Sequence, residues 1–196
     1  GAISLASDQE AFDNVKISKS FNYGTVNGLQ FVGGITGRIS TNSSVEYCFN
    51  NGKISGDTRI GGISGDVAKN NAKIINCYNI GEVSGNNEFG GLCGALENCI
   101  ENSYTIGKVI YNNSSKNYGA FLGITATNTQ CKNCYYLKIS GMNAIGYEKG
   151  TVLSNSIIGK TTEELKNLAQ ILGNAYLQDN NINNGYPYLK DIKPIK

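Results

Sequence analysis

The chain has 196 residues, a net charge of +2 and no histidine. That length suits one domain with a proper core and is short for two. The small, scattered charge recommends no nucleic-acid partner and no anionic membrane surface, and the missing imidazole sets aside Ser-His-Asp, Cys-His and His-ligated zinc chemistry. Glycine is abundant at 25 residues, proline nearly absent at 2, and tyrosine frequent at 12, a mixture that points to short strands joined by Gly and Asn turns.

In chain order, residues 1–14 are expected to begin a first coil. Gly1–Ser4 carry no charged-then-apolar leader, so a leader and neighbouring domains are expected to lie outside this segment. No stretch reaches the roughly 18 apolar residues of a membrane span.

From about residue 15 two motifs alternate. The first is Ser20-Phe21-Asn22-Tyr23-Gly24-Thr25-Val26, repeated at Cys48–Ile54, Cys77–Val83 and Ser103–Val109, with a degenerate copy at Cys134–Ile139. The second is Gly33-Gly34-Ile35-Thr36-Gly37, repeated at Gly61–Gly65, Gly90–Gly94 and, weakly, Gly119–Gly123. Its first glycines stand at 33, 61, 90 and 119, so successive intervals are 28, 29 and 29 residues. A period of that size, rich in β-branched residues and without a helical pattern inside the unit, predicts an all-β fold. The expected architecture is a β-solenoid (parallel β-helix) of about five coils over residues 15–141, with like positions stacked about 4.8 Å apart. The glycines are read as corners with positive φ or as places where the backbone passes too close for a Cβ. A phosphate-cradling loop would need a Lys and a following helix that are missing.

Stacking the repeats gives columns. Ile17, Val45, Ile74, Ile100 and Cys131 are expected to point inward, as are Val26, Ile54, Val83 and Val109. Ser20, Cys48, Cys77, Ser103 and Cys134 form a small-residue column, and Thr36, Ser64, Cys93 and Leu122 another. The facing of Phe21, Phe49, Tyr78, Tyr104 and Tyr135 stays open, because a bend inside the motif would change the alternation. Five of the six cysteines occupy these apolar columns and read as free buried thiols. Cys99, aligned with Asn42, Asn70 and Asn128, is expected in a turn. Cys131-Lys132-Asn133-Cys134 has the spacing of a redox or zinc knuckle but lacks a second pair.

Beyond residue 141 the rhythm fades into an irregular last coil. Thr161 and Glu164 form a capping box; Leu165, Leu168, Ala169 and Leu172 mark one face of a helix over about 162–172, and Gly173 ends it. This helix is expected to cap the open end of the solenoid, followed by a closing strand near Tyr186-Pro187-Tyr188-Leu189. The whole of 1–196 thus reads as one repeat domain.

The alternation of GG[IL]xG with [CS]-aromatic-Asn-x-Gly-x-[VI] resembles the GLUG repeats of bacterial cell-surface proteins, a repeat also found beside the immunoglobulin A metalloprotease family. The tail, with Glu163-Glu164-Leu165-Lys166 and Asn184-Gly185-Tyr186-Pro187-Tyr188-Leu189, is similar to the segment that often closes such blocks in large surface proteins of Gram-positive gut bacteria. The resemblance spans roughly residues 15–190 and implies an extracellular location, at the cell surface or secreted, as part of a larger chain. It brings no catalytic residues or cofactor, and the chain has no HExxH motif to support protease activity.

Three functions follow as expectations. The first is a noncatalytic module that adheres to host glycan or protein; Tyr111, Tyr118, Tyr186 and Tyr188, which like Tyr147 lie outside the repeat column and are expected to be exposed, are its candidate ligand-binding residues. The second is a polysaccharide hydrolase or lyase, with Asp57 and Asp66 as the candidate carboxylates and Glu82 or Glu88 near them. The third is a structural spacer that meets only its neighbouring domains. A calcium site would need more carboxylates than Asp57 and Asp66 supply, and Asn ladders at turns are the simpler reading of the asparagines.

Overall fold

In the computed structural model, the described residues are 14–68, 70–127, 129–150 and 157–195. The expected start of a coil in residues 1–13 lies outside them. The chain winds as a β-solenoid whose like-positioned strands pair in parallel. One sheet stacks Lys16–Ser18, Ser44–Glu46, Lys73–Ile75, Cys99–Thr105, Gln130–Leu137 and, last, Ile157–Lys160, and carries Phe21–Asn22, Phe49–Asn50 and Tyr78–Asn79 beside them. A second stacks Val26–Asn27, Ile54–Ser55, Val83–Ser84 and Val109–Ile110. A third stacks Gln30–Gly33, Thr58–Gly61, Asn87–Gly90 and Lys116–Gly119; a fourth stacks Thr36–Ile39, Ser64–Val67, Cys93–Leu96, Leu122–Thr125 and Ile145–Glu148. Four coils are therefore complete. The fifth reaches only the first and fourth sheets, so the expected five coils shorten to four and a part.

Register follows the repeat. Ile17 pairs with Val45, Val45 with Ile74, Ile74 with Ile100 and Ile100 with Cys131. Val45, Ile74, Ile100 and Cys131 are buried in one apolar core with Cys48, Cys77, Cys134 and Cys93. Ile54, Val83 and Val109 belong to a second core with Val32, Ile60 and Phe89. Between the two cores, where the first sheet meets the second, runs a ladder of buried amides. Asn22 Nδ2 donates to Asn50 Oδ1 and Asn50 Nδ2 to Asn79 Oδ1, both at 2.8 Å, and Asn79 Nδ2 donates across the coil to Gly91 O at 2.7 Å. The facing Gly-Gly wall must be bare here. A Cβ on Gly62 would lie 2.2 Å from Asn79 Cγ and 2.4 Å from Gly91 O.

Of the two readings of the motif glycines, close approach is the one found. Among the described residues positive φ occurs at Gly141, Gly150, Gly173 and Gly185, none of them in a repeat motif. The left-handed corners of the coils belong instead to three stacked columns of other residues: Lys19, Tyr47, Asn76, Asn102 and Asn133 (φ 49, 55, 52, 46 and 52°), Phe31, Arg59, Glu88 and Asn117 (φ 53, 58, 52 and 51°), and, between coils, Asn14, Asn42, Asn70 and Asn71 (φ 65, 53, 61 and 64°). The first column answers the question of facing. A left-handed residue two places before each aromatic breaks strand alternation, so Val45 and Cys48 both turn inward while Phe49 turns out of the coil.

The outward aromatics form a stack: Phe21 on Phe49 (centroids 5.4 Å, 15° between planes), Phe49 on Tyr78 (5.0 Å, 4°), Tyr78 on Tyr104 (5.2 Å, 7°). Burying this stripe is the work of the C-terminal tail, and here the expected cap is corrected. Two short helices, α1 (Thr162–Lys166) and α2 (Ala169–Leu172), replace one long helix, and they lie on the flank of the solenoid. Thr161 and Glu164 do form the capping box, and Gly173 ends α2 at φ 93°. Leu165, Leu168, Leu172, Tyr176 and Leu189 cover Phe49, Tyr78, Tyr104 and Tyr135. Stacked side chains that face away from the lumen need a partner along the whole stack, which an end cap would not provide. Tyr176 Oη donates to Asn102 O (2.9 Å), Tyr104 Oη donates to Pro187 O, Lys19 pairs with Asp191 (2.8 Å) and Ile195 N donates to Tyr23 Oη (2.6 Å). The tail thereby runs from the fifth coil back to the first.

Candidate functional site

The four candidate tyrosines fall into two unlike pairs. Tyr118 is the last rung of the column Val32, Ile60, Phe89, Tyr118, and its ring stacks on Phe89 at 5.5 Å. Tyr111 follows the strand Val109–Ile110 at the point where earlier coils place Gly28, Gly56 and Gly85 after Val26–Asn27, Ile54–Ser55 and Val83–Ser84. In those coils glycine is required because the next column presses on it; a Cβ on Gly85 would meet the Phe89 ring at 2.8 Å. The fourth coil widens the turn to Asn112–Ser115, held by Ser114 N and Oγ donating to Asn112 Oδ1 and by Ser115 Oγ donating to Gly85 O. That widening lets Tyr111 lie on Tyr118, centroids 4.3 Å apart and planes 17° apart, with Tyr111 exposed and Tyr118 half-buried. Three rings, Phe89, Tyr118 and Tyr111, thus step outward from core to solvent.

Tyr186 and Tyr188 sit in the tail. Tyr186 is half-buried with Lys166 Nζ 5.8 Å from its ring centre, and Tyr188 pairs with Leu177 in the closing hairpin. Tyr188 is buried, so the expectation that it is exposed is corrected: the hairpin and the solenoid flank take its surface. Tyr147 is exposed on the fifth coil, in the column of Arg38, Asp66, Ala95 and Ile124.

The two carboxylates proposed for hydrolysis have other engagements. Asp57 is exposed and accepts from Asn86 Nδ2 at 2.8 Å and from Thr58 Oγ1 at 3.2 Å. Asp66 is fully buried between two guanidiniums, Arg38 Nε at 3.0 Å from Oδ2 and Arg59 Nη1 at 3.2 Å from Oδ1, and Arg59 Nε reaches Glu88 at 2.9 Å. Burial raises the Asp66 carboxyl above its ordinary range against the opposing pull of Arg59 and Arg38. Both guanidiniums also lie over the Phe31 ring, at 5.7 and 5.4 Å. Beyond this network the same face opens into a depression of about 450 Å³ lined by Arg59, Ala95, Glu97, Ile124, Thr127 and Lys149. Glu82 is held by Lys53 at 3.2 Å.

All six cysteines are free and buried. Cys99 is corrected from a turn to the first residue of the strand Cys99–Thr105, where it pairs with Lys73 and Gln130 in place of the aligned asparagines. Among the described residues no group of three or more Cys, Asp or Glu is placed to hold a metal, and Cys131 and Cys134 are ladder residues of the core. The sequence reading placed asparagine ladders at turns and missed the one inside the coil. Its signal was present: Asn follows the aromatic in Phe21-Asn22, Phe49-Asn50 and Tyr78-Asn79.

Comparison with protein-family models, with curated proteins and with solved structures gave no match.

Proposed function

We propose that this chain is a noncatalytic extracellular module of GLUG-repeat type, part of a larger bacterial surface protein, that binds host glycan or protein through the Tyr111–Tyr118 face. The observation that carries this reading is the stacked, outward-stepping ring pair. Large rigid aromatics with one face in the core and the other in water lose little side-chain entropy on binding and supply apolar area to a sugar ring or a protein anchor. A parallel ladder beneath them holds that face in a fixed geometry. The engagement of Asp57 by Asn86 and of Asp66 by two arginines is consistent with a binding role.

The test is a panel of host and plant glycans and mucins, scored both for retained protein and for released reducing ends. Retention that falls about tenfold or more in Tyr111→Ala supports the proposal. Retention that is indifferent to Tyr111→Ala overturns it, and released reducing ends return the carboxylates to consideration. Silence in both channels supports the spacer reading.

A further inference from the structure

The amide ladder has a direction, and it ends unevenly. In each interior rung the backbone fixes which way the amide points: Asn50 Oδ1 accepts from Gly52 N (3.1 Å) while Asn50 Nδ2 donates to Gly52 O (2.9 Å), and Asn79 does the same with Gly81 (3.0 and 2.9 Å). Flipping the amide would break both bonds. Each Oδ1 then accepts a second bond from the Nδ2 of the coil before it. Asn22 in the first coil keeps the orientation, accepting from Gly24 N at 3.1 Å and donating to Gly24 O at 2.8 Å, but among the described residues nothing donates the second bond to its Oδ1.

The backbone tells the same story. Interior aromatics donate their amide to the preceding coil: Phe49 N to Ser20 O, Tyr78 N to Cys48 O and Tyr104 N to Cys77 O, each at 3.1 Å. The residue two places on does likewise: Asn51 N to Asn22 O at 2.8 Å, Ile80 N to Asn50 O and Ile106 N to Asn79 O at 2.9 Å. The corresponding amides of the first coil are Phe21 and Tyr23, and among the described residues neither has an acceptor. The Phe21 ring, stacked on one side only, is half exposed, whereas Phe49, Tyr78 and Tyr104 are covered. Among the described residues the face therefore lacks one donor at Asn22, two acceptors at Phe21 and Tyr23 and one aromatic ring, which is the complement offered by one more coil carrying the aromatic-Asn-x-Gly motif.

We infer that the first-coil face is an interaction surface for a further coil of this motif, belonging to a segment other than residues 1–196 and arriving parallel to Phe21–Asn22. Among the described residues the chain does not supply it. At the far end the ladder column reads Thr105, Tyr136 and Gly159, so a head-to-tail copy presents no amide donor. A two-fold pairing of first-coil faces sets Asn22 Oδ1 against another Oδ1, acceptor to acceptor. Residues 1–13 contain no asparagine. The coil-to-coil interface already present, with its stacked rings and bonded amides, is continued outward by this partner and by neither of those.

The test inserts a copy of residues 44–72 between Val15 and Lys16, so that the added Ala72 precedes Lys16 as Ala72 precedes Lys73. Hydrogen exchange at the Phe21 and Tyr23 amides is expected to slow by about tenfold or more relative to the natural chain. The same insertion with its copy of Asn50 changed to Asp, which offers no donor to Asn22 Oδ1, is expected to lose most of that protection at Phe21 and Tyr23. A folded insertion with unprotected Phe21 and Tyr23 amides overturns the proposal. So does a natural chain, monomer or dimer, in which those amides are already protected. Should the insertion not fold, the synthetic peptide of residues 44–72 is added in excess to the natural chain: shifts of first-coil resonances that include Phe21–Gly24 support the proposal, and no shift at Phe21–Gly24 overturns it.

Discussion

Gly62 and Asn79 meet across the coil with no space for a methyl group between them, since a Cβ on Gly62 would stand 2.2 Å from Asn79 Cγ. Gly62→Ala must displace a buried amide that holds three hydrogen bonds to Gly81 and Gly91, and it is expected to destabilise the fold by about 3 kcal/mol or more. Gly24→Ala, whose Cβ would sit 3.5 Å from Asn22 Oδ1, is the control, with an expected change within about 1 kcal/mol. Urea unfolding of both variants measures the difference.

Neighbouring rungs of the aromatic stack respond oppositely to loss of a hydroxyl. Tyr78 Oη is buried without a hydrogen-bond partner among the described residues, so Tyr78→Phe is expected to stabilise by about 1 kcal/mol. Tyr104 Oη donates to Pro187 O and accepts from Asn183 Nδ2 at 3.2 Å. Tyr104→Phe leaves that tail segment short of partners and is expected to destabilise by about 1–2 kcal/mol. The two midpoints in urea should move apart at unchanged slope.

Thiol chemistry separates core from surface. Burial pushes the Cys77, Cys93 and Cys134 thiols up, and it takes Cys99 to about 12. An aromatic disulfide reagent at pH 8 is expected to label none of the six in the folded chain and all six after unfolding without reductant. A lower count in the unfolded chain would place cysteines in disulfides.

Helix α1 carries a pH signature of defined sign. The Glu164 carboxylate accepts from Thr161 N at 2.8 Å, and this bond, with Lys160 beside it, holds its pKa below 4.5. A depressed carboxyl stabilises the folded form above the unfolded value and loses that contribution as pH falls through the folded one. Acid titration followed by NMR should show the Thr161 amide moving with Glu164 at a midpoint under 4.5. Glu164→Gln should remove the shift.

Much of the coil was legible because a solenoid converts sequence period into spatial register: the spacing of Val45, Ile74 and Ile100 is the ladder itself. Even an exception reads through. Ala120 replaces the second motif glycine in the fourth coil, where the opposing ladder column has changed from Asn79 and Thr105 to Tyr136. Corners at Asn42, Asn76, Asn102, Asn117 and Asn133 carry the left-handed signal of asparagine, but those at Lys19, Tyr47, Arg59 and Glu88 were hidden, because these residue types carry none and adopt the conformation where the coils above and below fix it. The tail was half legible. Local rules gave the Thr161–Glu164 box, but the resting place of the helices depends on contacts such as Tyr176 Oη with Asn102 O, 74 residues apart in the chain. Of the candidate site, the exposure of Tyr111 followed from its place outside the repeat column, while the burial of Tyr188 depended on a hairpin partner, Leu177, that no period announces.

The return of the tail to the first coil also brings the last described residues beside the first. Asn14 bonds to Thr41 at the first turn, and Ile195 bonds to Tyr23 on that same turn. Asn14 and Ile195 therefore lie on one coil, and the fifth coil lies at the other end of the described stack. A pull applied between these two residues runs across the stack instead of along it. Such tension would first unzip the tail from the aromatic stripe, leaving the coils beneath unloaded until that seam had opened.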